Sequence, residues 1–257
     1  MRAGTTIKGY RIKSFFARGG MADLYLAEPL EGAQKDWILK LYRWDDTVGN
    51  VLLPRFQSAA QLLRSLRHPA LPAVKEYFSL PDGFVLVIEY IQGRDLESIG
   101  SEQLLPFPPE TVIHWGTELC KVFRYLQGRV PPVILRDFRP SNLVRESRNR
   151  LRLIDLELAC TERDLCDYLP PGVPGFTAPE VLAGERPSVK TDLYSLGATL
   201  FYLLTLKVPS CENIDVLEKA VSQTHSNLKR TIRKALHPDP GERFNNIDEF
   251  EVLLAGV

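Results

Sequence analysis

Between residues 10 and 90 the apolar residues come in short runs that are typical of β-strands. The runs are rich in β-branched and aromatic residues, and turn formers such as Glu31-Gly32 and Pro81-Asp82-Gly83 separate them. These side chains pack well on a pleated surface, so the runs predict strands. The predicted strands are Tyr10–Phe16, Leu24–Glu28, Trp37–Tyr42, Val74–Ser79 and Phe84–Glu89.

One helix is predicted inside this strand-rich region. A series of apolar residues recurs at steps of four and three, which places its members on one face of a helix. These residues are Leu52, Phe56, Ala59, Leu63 and Leu66. The dipeptide His68-Pro69 is expected to end the helix, because a residue before proline is pushed out of the helical region.

After residue 95 the pattern becomes helical. The segment from Pro109 to Gln127 carries apolar residues at helical spacing, and Gly128 is expected to terminate it. Leu193–Leu206 is apolar almost all round, which predicts a helix buried in the centre of a lobe. Shorter helices are predicted near Leu228–Leu236 and Ile247–Leu254. A strand-rich first part and a helix-rich second part predict an α+β fold with two lobes and a boundary near Glu89–Gly93.

Composition excludes some classes of partner. The 32 basic residues balance the 32 acidic ones, so no overall field attracts nucleic acid or an anionic membrane. We find no run of about 18 apolar residues and no signal-peptide core, and we expect no direct membrane insertion of this chain. The four cysteines form no CxxC pair and are expected to be plain thiols in a reducing cytoplasm.

Two aspartates carry the main chemical signal. Asp137 and Asn142 lie five residues apart, and Asp155 follows after an apolar run. Each aspartate is predicted to follow the end of a strand. A carboxylate and an amide at this spacing, with a second carboxylate downstream, are the arrangement that holds magnesium against a nucleoside triphosphate and positions a base beside it.

Further motifs extend this signal over most of the chain. They are Phe176-Thr177-Ala178-Pro179-Glu180, Asp192-Leu193-Tyr194-Ser195-Leu196-Gly197 and Asp239-Pro240-Gly241-Glu242-Arg243-Phe244. Together with Arg136-Asp137, Asn142 and Asp155, and in this order, they resemble bacterial-type serine/threonine protein kinases over residues 8 to 254. The resemblance implies one protein kinase-like domain over residues 1–257. Its N-lobe, an antiparallel sheet plus one helix, covers about 8–90, its hinge about 89–95, and its mainly helical C-lobe about 96–254.

The resemblance also implies ATP and Mg²⁺ as ligands and gives roles to particular residues. Asp137 is similar to the catalytic base, Lys40 to the lysine that grips the α- and β-phosphates, and Arg139 replaces the lysine that contacts the γ-phosphate. Asn142 and Asp155 are the implied metal ligands. The implied nucleotide-binding residues are Gly19, Gly20, Leu24, Ile38, Lys40, Glu89, Ile91, Asp95 and Val144. Glu180 and Arg243 are expected to form a buried ion pair, and Asp192 to cap the backbone of the catalytic loop.

Some of these residues have a structural alternative. Asp95 is equally well explained as a helix N-cap, and Ile38, where the family has a small alanine above the adenine, as core filler. For Lys40 the alternative is a solvated surface lysine. For Asp137 it is a purely structural carboxylate that caps the backbone of its own loop.

Five departures from the family pattern weigh against activity. Ala17 and Ala22 replace the first and third glycines of the phosphate-binding turn, and alanine lacks the left-handed freedom of glycine. Ala59 stands where the family has the glutamate that pairs with Lys40. Glu157 replaces the glycine after the metal aspartate, and Val173 replaces a threonine whose hydroxyl assists substrate recognition.

The retained and lost residues leave two functions open. Taken together, the five departures favour a pseudokinase or a very weak kinase that binds Mg-ATP and signals through protein partners. The reason is that positioning of the reactants supplies most of the catalysis of phosphoryl transfer. The alternative is an active, divergent kinase that transfers the γ-phosphoryl group of ATP to Ser or Thr in proteins. In either case the partner is a protein substrate or a regulatory protein, and the chain is expected to be one domain of a longer signalling protein.

Overall fold

The computed structural model describes residues 1–19, 22–32, 35–43, 46–81, 83–161, 172–210 and 213–256, and for 46–52, 55 and 148 only the backbone. The chain divides into two compact units, Met1–Gln92 and Gly93–Val257. This division falls inside the segment 89–95 that the sequence predicts as a hinge. Gly20, one of the predicted nucleotide residues, lies outside the described residues, and so do Cys166 and Cys211.

The described part of the first unit contains a sheet of six antiparallel strands in the order β1-β2-β3-β4-β6-β5. Their bounds are β1 Thr6–Ile7, β2 Tyr10–Arg18, β3 Asp23–Pro29, β4 Trp37–Arg43, β5 Val74–Leu80 and β6 Gly83–Glu89. All five predicted strands are confirmed, each one or two residues longer than predicted. The two-residue strand β1 was not predicted, because two residues are too few to show a pattern.

The two faces of this sheet bury different sets of side chains. One face packs into a cluster that includes Tyr10, Tyr25, Leu39 and Val87. On β4 the intervening residues are buried as well, since the helix α1, Asp46–Ser65, covers the other face. Phe56 of α1 contacts the rings of Tyr42 on β4 and Phe84 on β6.

Helix α1 differs from its prediction at two points. It ends at Ser65, three residues before His68, and the Ser65 hydroxyl donates to the carbonyl of Leu62 at 2.7 Å. Ala60 is fully buried, whereas Ala59 is only half-buried. The inward stripe of the helix therefore runs through Ala60, and Ala59 lies at its margin.

The second unit is mainly helical. Its α-helices are α2 Leu96–Gln103, α3 Pro109–Gln127, α4 Pro179–Leu182, α5 Val189–Thr205, α6 Val216–Ala220, α7 Ser226–Ala235 and α8 Ile247–Ala255. Its short strands are β7 Arg94–Asp95, β8 Val133–Ile134, β9 Leu143–Arg145, β10 Leu151–Leu153 and β11 Cys160–Thr161. Single 3₁₀ turns lie at Pro140–Asn142, Ser147–Asn149, Gln223–His225 and Pro240–Glu242.

Helix α5 forms the centre of this unit, as its apolar sequence predicts. Residues 191–204 are all buried, and Gly197 approaches Ala235 of α7 so closely that an added Cβ would lie 2.5 Å from the Cβ of Ala235. Helix α3 matches its predicted bounds, Pro109–Gln127. In the described part of the chain we find no helix with both the length and the apolar character that a bilayer span requires. Cys120 and Cys160 are both buried.

Candidate functional site

Lys40 lies in the middle of β4, paired with Leu24 on β3 and Leu86 on β6. Its side chain lies on the sheet face opposite the Tyr25 cluster, because side chains alternate along a strand. Only 5% of the residue is exposed. A solvated surface lysine is therefore excluded, and a buried ammonium group in this position needs polar surroundings.

Ile38, two residues before Lys40, lies opposite Ile88 of β6, and both side chains are buried. Leu26 of β3 pairs with Ile38 from the other side. The space next to Lys40 on this face is thus lined by branched aliphatic side chains. This packing agrees with the interpretation of Ile38 as a residue that fills the hydrophobic core. It also narrows any space for the base of a nucleotide on this face of the sheet.

The chain leaving β6 contains the two predicted hinge contacts. The amide of Glu89 donates to the carbonyl of Ala73 at 2.8 Å, and its carboxylate pairs with Lys35 at 2.9 Å. Ile91 is buried. Contacts within the first unit therefore hold the backbone of this segment in place.

The turn that is predicted to bind phosphate is described on either side of residues 20 and 21. The amide of Gly19 donates to the carbonyl of Ala22 at 2.8 Å, so this N–H group is engaged within the turn. Ala17, just before it, pairs with Leu24. A Cβ at Gly19 would lie 3.3 Å from the Ala22 carbonyl oxygen, so the turn is tight at this point.

Asp95 in the second unit is an N-cap. Its carboxylate accepts from the Ser98 amide at 2.8 Å and from the Ser98 hydroxyl at 2.6 Å, at the start of α2. The interpretation of Asp95 as a helix N-cap is confirmed, while its role in nucleotide binding stays a prediction. Val144 on β9 pairs with Asp95 and is buried.

The predicted catalytic loop follows β8 and is anchored from both sides. Leu135 and Phe138 are buried, and the Phe138 ring meets Phe123 of α3 edge-on at 4.9 Å. The amides of Leu135 and Arg136 donate to the Asp192 carboxylate at 2.7 and 3.0 Å. Arg136 has a φ of 69°, a left-handed conformation that a non-glycine residue adopts only when its surroundings hold it there.

The pKa of Asp192 reflects how deeply this carboxyl group is buried beneath the loop. Burial raises the pKa of the Asp192 carboxyl to about 7, although the two backbone N–H groups and the charge of Arg136 act in the opposite direction. The expected capping role of Asp192 is confirmed by these hydrogen bonds.

Asp137, Arg139 and Asn142 meet in this loop. The amide nitrogen Nδ2 of Asn142 donates to the Asp137 carbonyl at 2.8 Å and to its Oδ2 at 3.0 Å. Arg139 Nε lies 3.1 Å from Asp137 Oδ1, an ion pair that lacks the alignment of a hydrogen bond. Both carboxylate oxygens are therefore held in place, and each keeps a lone pair for a further donor.

Asn142 and Asp155 lie at the same end of the β9–β10 hairpin. Leu143 pairs with Leu153, and the amide of Ile154 donates to the Asn142 carbonyl at 2.9 Å. Asp155 follows directly, is exposed, and has a φ of 61°. With Nδ2 of Asn142 turned to Asp137, the remaining amide oxygen and the Asp155 carboxylate are hard oxygen donors of the type that Mg²⁺ prefers.

Leu156 and Glu157 continue from this point. Leu156 is buried and Glu157 is half-buried. The backbone then enters β11, where Cys160 pairs with Ile134 of β8.

The segment 172–180 is folded back on itself and pinned by a buried ion pair. The amides of Phe176 and Thr177 both donate to the Val173 carbonyl. Arg243 donates to both carboxylate oxygens of Glu180, at 2.7 and 2.8 Å, and its side chain is fully buried. The expected Glu180–Arg243 pair is confirmed in bidentate form.

Two aromatic residues near the predicted nucleotide residues were missed by sequence reasoning. Phe16 on β2 meets Tyr90, the residue after Glu89, edge-on with ring centroids 5.7 Å apart. The only signal in the sequence is the adjacent pair Phe15-Phe16, which interrupts the alternation of a strand.

Comparison with known proteins gives a consistent result. A family model described as a protein kinase domain matches residues 33–250. Serine/threonine-protein kinase C of Synechocystis sp. is 30% identical over 270 residues, which cover 96% of this chain and 49% of that protein. Serine/threonine-protein kinase PknG of Mycolicibacterium smegmatis is 29% identical over 258 residues, 96% of this chain and 32% of that protein. The chain thus spans a third to a half of the length of these curated relatives.

Solved structures agree with this at the level of the fold. The crystal structure of the Mycobacterium tuberculosis PknI kinase domain matches with a TM-score of 0.79 and 21% sequence identity, and it covers 100% of this chain and 99% of that one.

Proposed function

This chain belongs to the protein kinase domain family, and from that premise we propose that it binds Mg-ATP and phosphorylates Ser or Thr side chains of proteins very slowly. The observation that carries the proposal is the loop that holds Asp137. Asn142 and Arg139 engage its two carboxylate oxygens, and Asp192 anchors the two residues before it. A loop kept only for structure would not require a carboxylate oriented in this way at its tip.

The chemistry of this loop is proton acceptance. The Asp137 carboxylate would take the proton of a substrate hydroxyl as the hydroxyl oxygen bonds to the γ-phosphorus and the bond to the β-phosphate oxygen breaks. Arg139 keeps the carboxylate in place and adds a positive charge beside it. Asn142 and Asp155 would hold Mg²⁺, which neutralises phosphate charge when it is bound.

The slow rate follows from the first unit. Gly19 uses its amide within the turn, so this group is not directed at a phosphate. Ala59 places no carboxylate on α1 at the position where the family has one. Each change weakens the positioning of the phosphates and leaves the base unchanged.

A second candidate function is a pseudokinase that acts only by binding proteins. The observation that favours it is Ala59, since the family uses the glutamate at this position to assemble its active state. The Glu180–Arg243 pair fits both candidates, because it folds the segment 172–180 whether or not transfer occurs.

An assay of radiolabelled phosphate transfer from Mg-ATP to a generic basic protein, and to the chain itself, separates the two candidates. We expect weak incorporation by the wild type that falls by about 10²–10⁴-fold in Asp137→Asn, which removes the base with little change in shape. Asp248→Asn makes the same chemical change at an exposed carboxylate that pairs with Arg124, and is expected to retain the wild-type rate.

Two results would overturn the proposed activity. Incorporation that persists in Asp137→Asn would identify a contaminating kinase. Incorporation absent from the wild type, together with a melting temperature that Mg-ATP raises, would favour the pseudokinase, because a ligand that binds the folded state must stabilise it.

A further inference from the structure

Two adjacent leucines after helix α2 carry an inference about the partner of this chain. Leu104 and Leu105 are 79% and 68% exposed, and among the large apolar residues of the described chain only Val130 is more exposed. A single exposed leucine is ordinary, whereas neighbouring ones form an apolar patch, and such patches mark surfaces that bind other molecules.

The backbone presents Leu104 at a conformational cost. Its φ is 53°, in the left-handed region where glycine ends a helix without strain and leucine does not. Leu206 ends α5 with the same φ of 53°, but its side chain is half-buried and lies 2.7 Å from the place where a Cβ on Gly100 would be. Packing therefore accounts for Leu206, whereas the exposed side chain of Leu104 has no such explanation.

The loop that carries the two leucines is fixed at both ends. The Leu104 amide donates to the Gly100 carbonyl at 3.0 Å. The Phe107 amide donates to the carbonyl of Leu203 in α5 at 2.9 Å, and the Phe107 side chain is buried. The exposure of both leucines is thus a fixed property of this surface.

A basic hairpin lies beside this loop. Trp115 of α3 contacts both, since its ring meets that of Phe107 with the centroids 5.2 Å apart and its Nε1 donates to the Asn149 carbonyl at 3.2 Å. Asn149 belongs to the β9–β10 hairpin, whose residues 145–152 include four arginines and one glutamate. Because the chain as a whole is balanced in charge, this local excess of positive charge favours an acidic partner.

A pocket of about 290 Å³ lies between the end of α2 and this hairpin. The charged side chains that line it are Arg94, Glu102, Arg145 and Glu146. Both carboxylates are already engaged, Glu102 by Arg94 and Glu146 by two arginines of the hairpin. Arg145 is half-buried and has no ion pair within the part of the chain that the structure describes. The pocket therefore offers a guanidinium group to a carboxylate from outside.

We propose that Leu104, Leu105 and the pocket with Arg145 form a docking surface for an acidic segment of a partner protein. A carboxylate of the segment pairs with Arg145, and apolar side chains next to it cover the two leucines. An apolar contact beside a charge pair sets the orientation of the segment as well as its affinity.

This inference names the class of protein partner and rests on the proposed function for that role. The docking surface contains none of the residues that are predicted to bind nucleotide or metal or to accept the proton. Docking is therefore measured without nucleotide and independently of phosphate transfer.

The experiment measures binding of the 257-residue chain to fluorescently labelled random polymers by fluorescence anisotropy. The first polymer contains glutamate and tyrosine, the second is polyglutamate, and the third contains lysine and tyrosine. We expect binding of the first, at least about tenfold weaker binding of the second, which lacks apolar side chains, and no binding of the third. Added salt is expected to weaken binding of the first, because the charge pair is partly exposed.

Two variants assign the binding to the docking surface. Leu104→Gly removes the exposed side chain and relieves the left-handed strain, so binding of the first polymer is expected to weaken by about 3- to 10-fold while the melting temperature does not fall. Arg145→Gln keeps the strand and removes the charge, and is expected to weaken binding by a similar factor and to reduce its dependence on salt.

Two further variants are matched controls. Val252→Ser removes an exposed apolar side chain from α8, and Arg230→Gln removes an exposed arginine from α7. Both lie outside the docking surface and are expected to bind the first polymer as the wild type does. Weaker binding in either control would mean that any exposed apolar or basic residue contributes, which contradicts a defined surface.

Other results would overturn the docking surface as well. Absent binding by the wild type, or equal binding by the wild type, Leu104→Gly and Arg145→Gln, would show that no acidic segment docks here. A lower melting temperature of Leu104→Gly would assign Leu104 to the stability of the fold. Binding of polyglutamate, or of vesicles of an anionic phospholipid, as tight as that of the first polymer would indicate a general attraction of anions. The proposed function stands or fails separately, by phosphate transfer in the wild type and Asp137→Asn.

Discussion

The first unit and the predicted catalytic loop of the second unit hold their predicted functional residues by different means. In the first unit, Lys40 and Ile38 lie on a strand whose neighbours are aliphatic, and the position of the family's glutamate is occupied by Ala59. In the second unit, Asp137 and its loop are fixed by hydrogen bonds and ion pairs from Arg139, Asn142 and Asp192.

The five departures from the family pattern are divided between the units, three in the first and two, Glu157 and Val173, in the second. The departures that affect phosphate binding, Ala17, Ala22 and Ala59, all lie in the first unit. The charged groups around Asp137 are partly buried, and the Glu180–Arg243 pair that holds the segment 172–180 is buried. The proposed function therefore combines a loop at Asp137 that is ready for chemistry with weakened positioning of the nucleotide.

The largest expected effect tests whether buried charges hold the second unit together. Glu180→Gln leaves the Arg243 guanidinium buried without a charged partner, and we expect a loss of about 3–5 kcal/mol in the free energy of unfolding. Urea denaturation measures this loss. Glu118→Gln removes one partner of the exposed Lys121–Glu118 pair and is expected to change stability by less than about 1 kcal/mol. Similar losses in both variants would contradict the distinction.

The next effect concerns Asp192 and pH. Asn at this position can accept through one oxygen only, so Asp192→Asn is expected to lose about 1–3 kcal/mol of stability through an unsatisfied N–H group. Since burial raises the pKa of Asp192 from 3.8 to about 7, the folded state holds this proton more tightly than the unfolded state. The stability that this group contributes is therefore fully present below the unfolded value and is lost as pH rises through about 7.

Denaturation of the wild type and of Asp192→Asn over a range of pH tests this sign. The difference in free energy of unfolding between wild type and variant is expected to fall as pH rises from 3.8 towards about 7. A difference that grows with pH would show that the two N–H groups and Arg136 outweigh burial and hold the pKa below its ordinary value.

The smallest effect on stability is expected at Ala59, the first of two neighbouring alanines of α1. A glutamate at the half-buried Ala59 can reach water, so Ala59→Glu is expected to cost less than about 1 kcal/mol. Ala60 is fully buried, and Ala60→Glu is expected to cost about 3 kcal/mol or more, because it buries an unpaired charge. Equal losses in thermal or urea denaturation would mean that the helix presents a different face from the one described.

Sequence patterns predicted the regular elements well and the local irregularities poorly. Helix α3 shows a long apolar stripe and matches its predicted bounds. Helix α2, which spans Leu96–Gln103, was missed because it is short and mostly polar. An N-cap at Asp95 was one of the two interpretations that the sequence allowed for this residue, because the chemistry of a cap is local.

Features that depend on tertiary contacts could not be obtained from the sequence. Whether Ala59 or Ala60 faces inward depends on how α1 is rotated against the sheet, and two adjacent alanines give no signal. Strand β2 also contains a β-bulge at Phe16, which depends on its pairing with β3. The Glu180–Arg243 pair joins residues 63 positions apart, and it was expected only because the motifs resemble those of a known family.

The most direct test of the central claim measures phosphate transfer from Mg-ATP in Ala59→Glu, Asp137→Asn and the double variant beside the wild type. If the catalytic loop is complete and the first unit limits the rate, a carboxylate at position 59 should raise transfer at least about tenfold, which corresponds to 1.4 kcal/mol. The double variant should then be as inactive as Asp137→Asn. A rate that stays at background in the wild type and in Ala59→Glu, with both chains folded and binding Mg-ATP, would contradict the account and favour the pseudokinase.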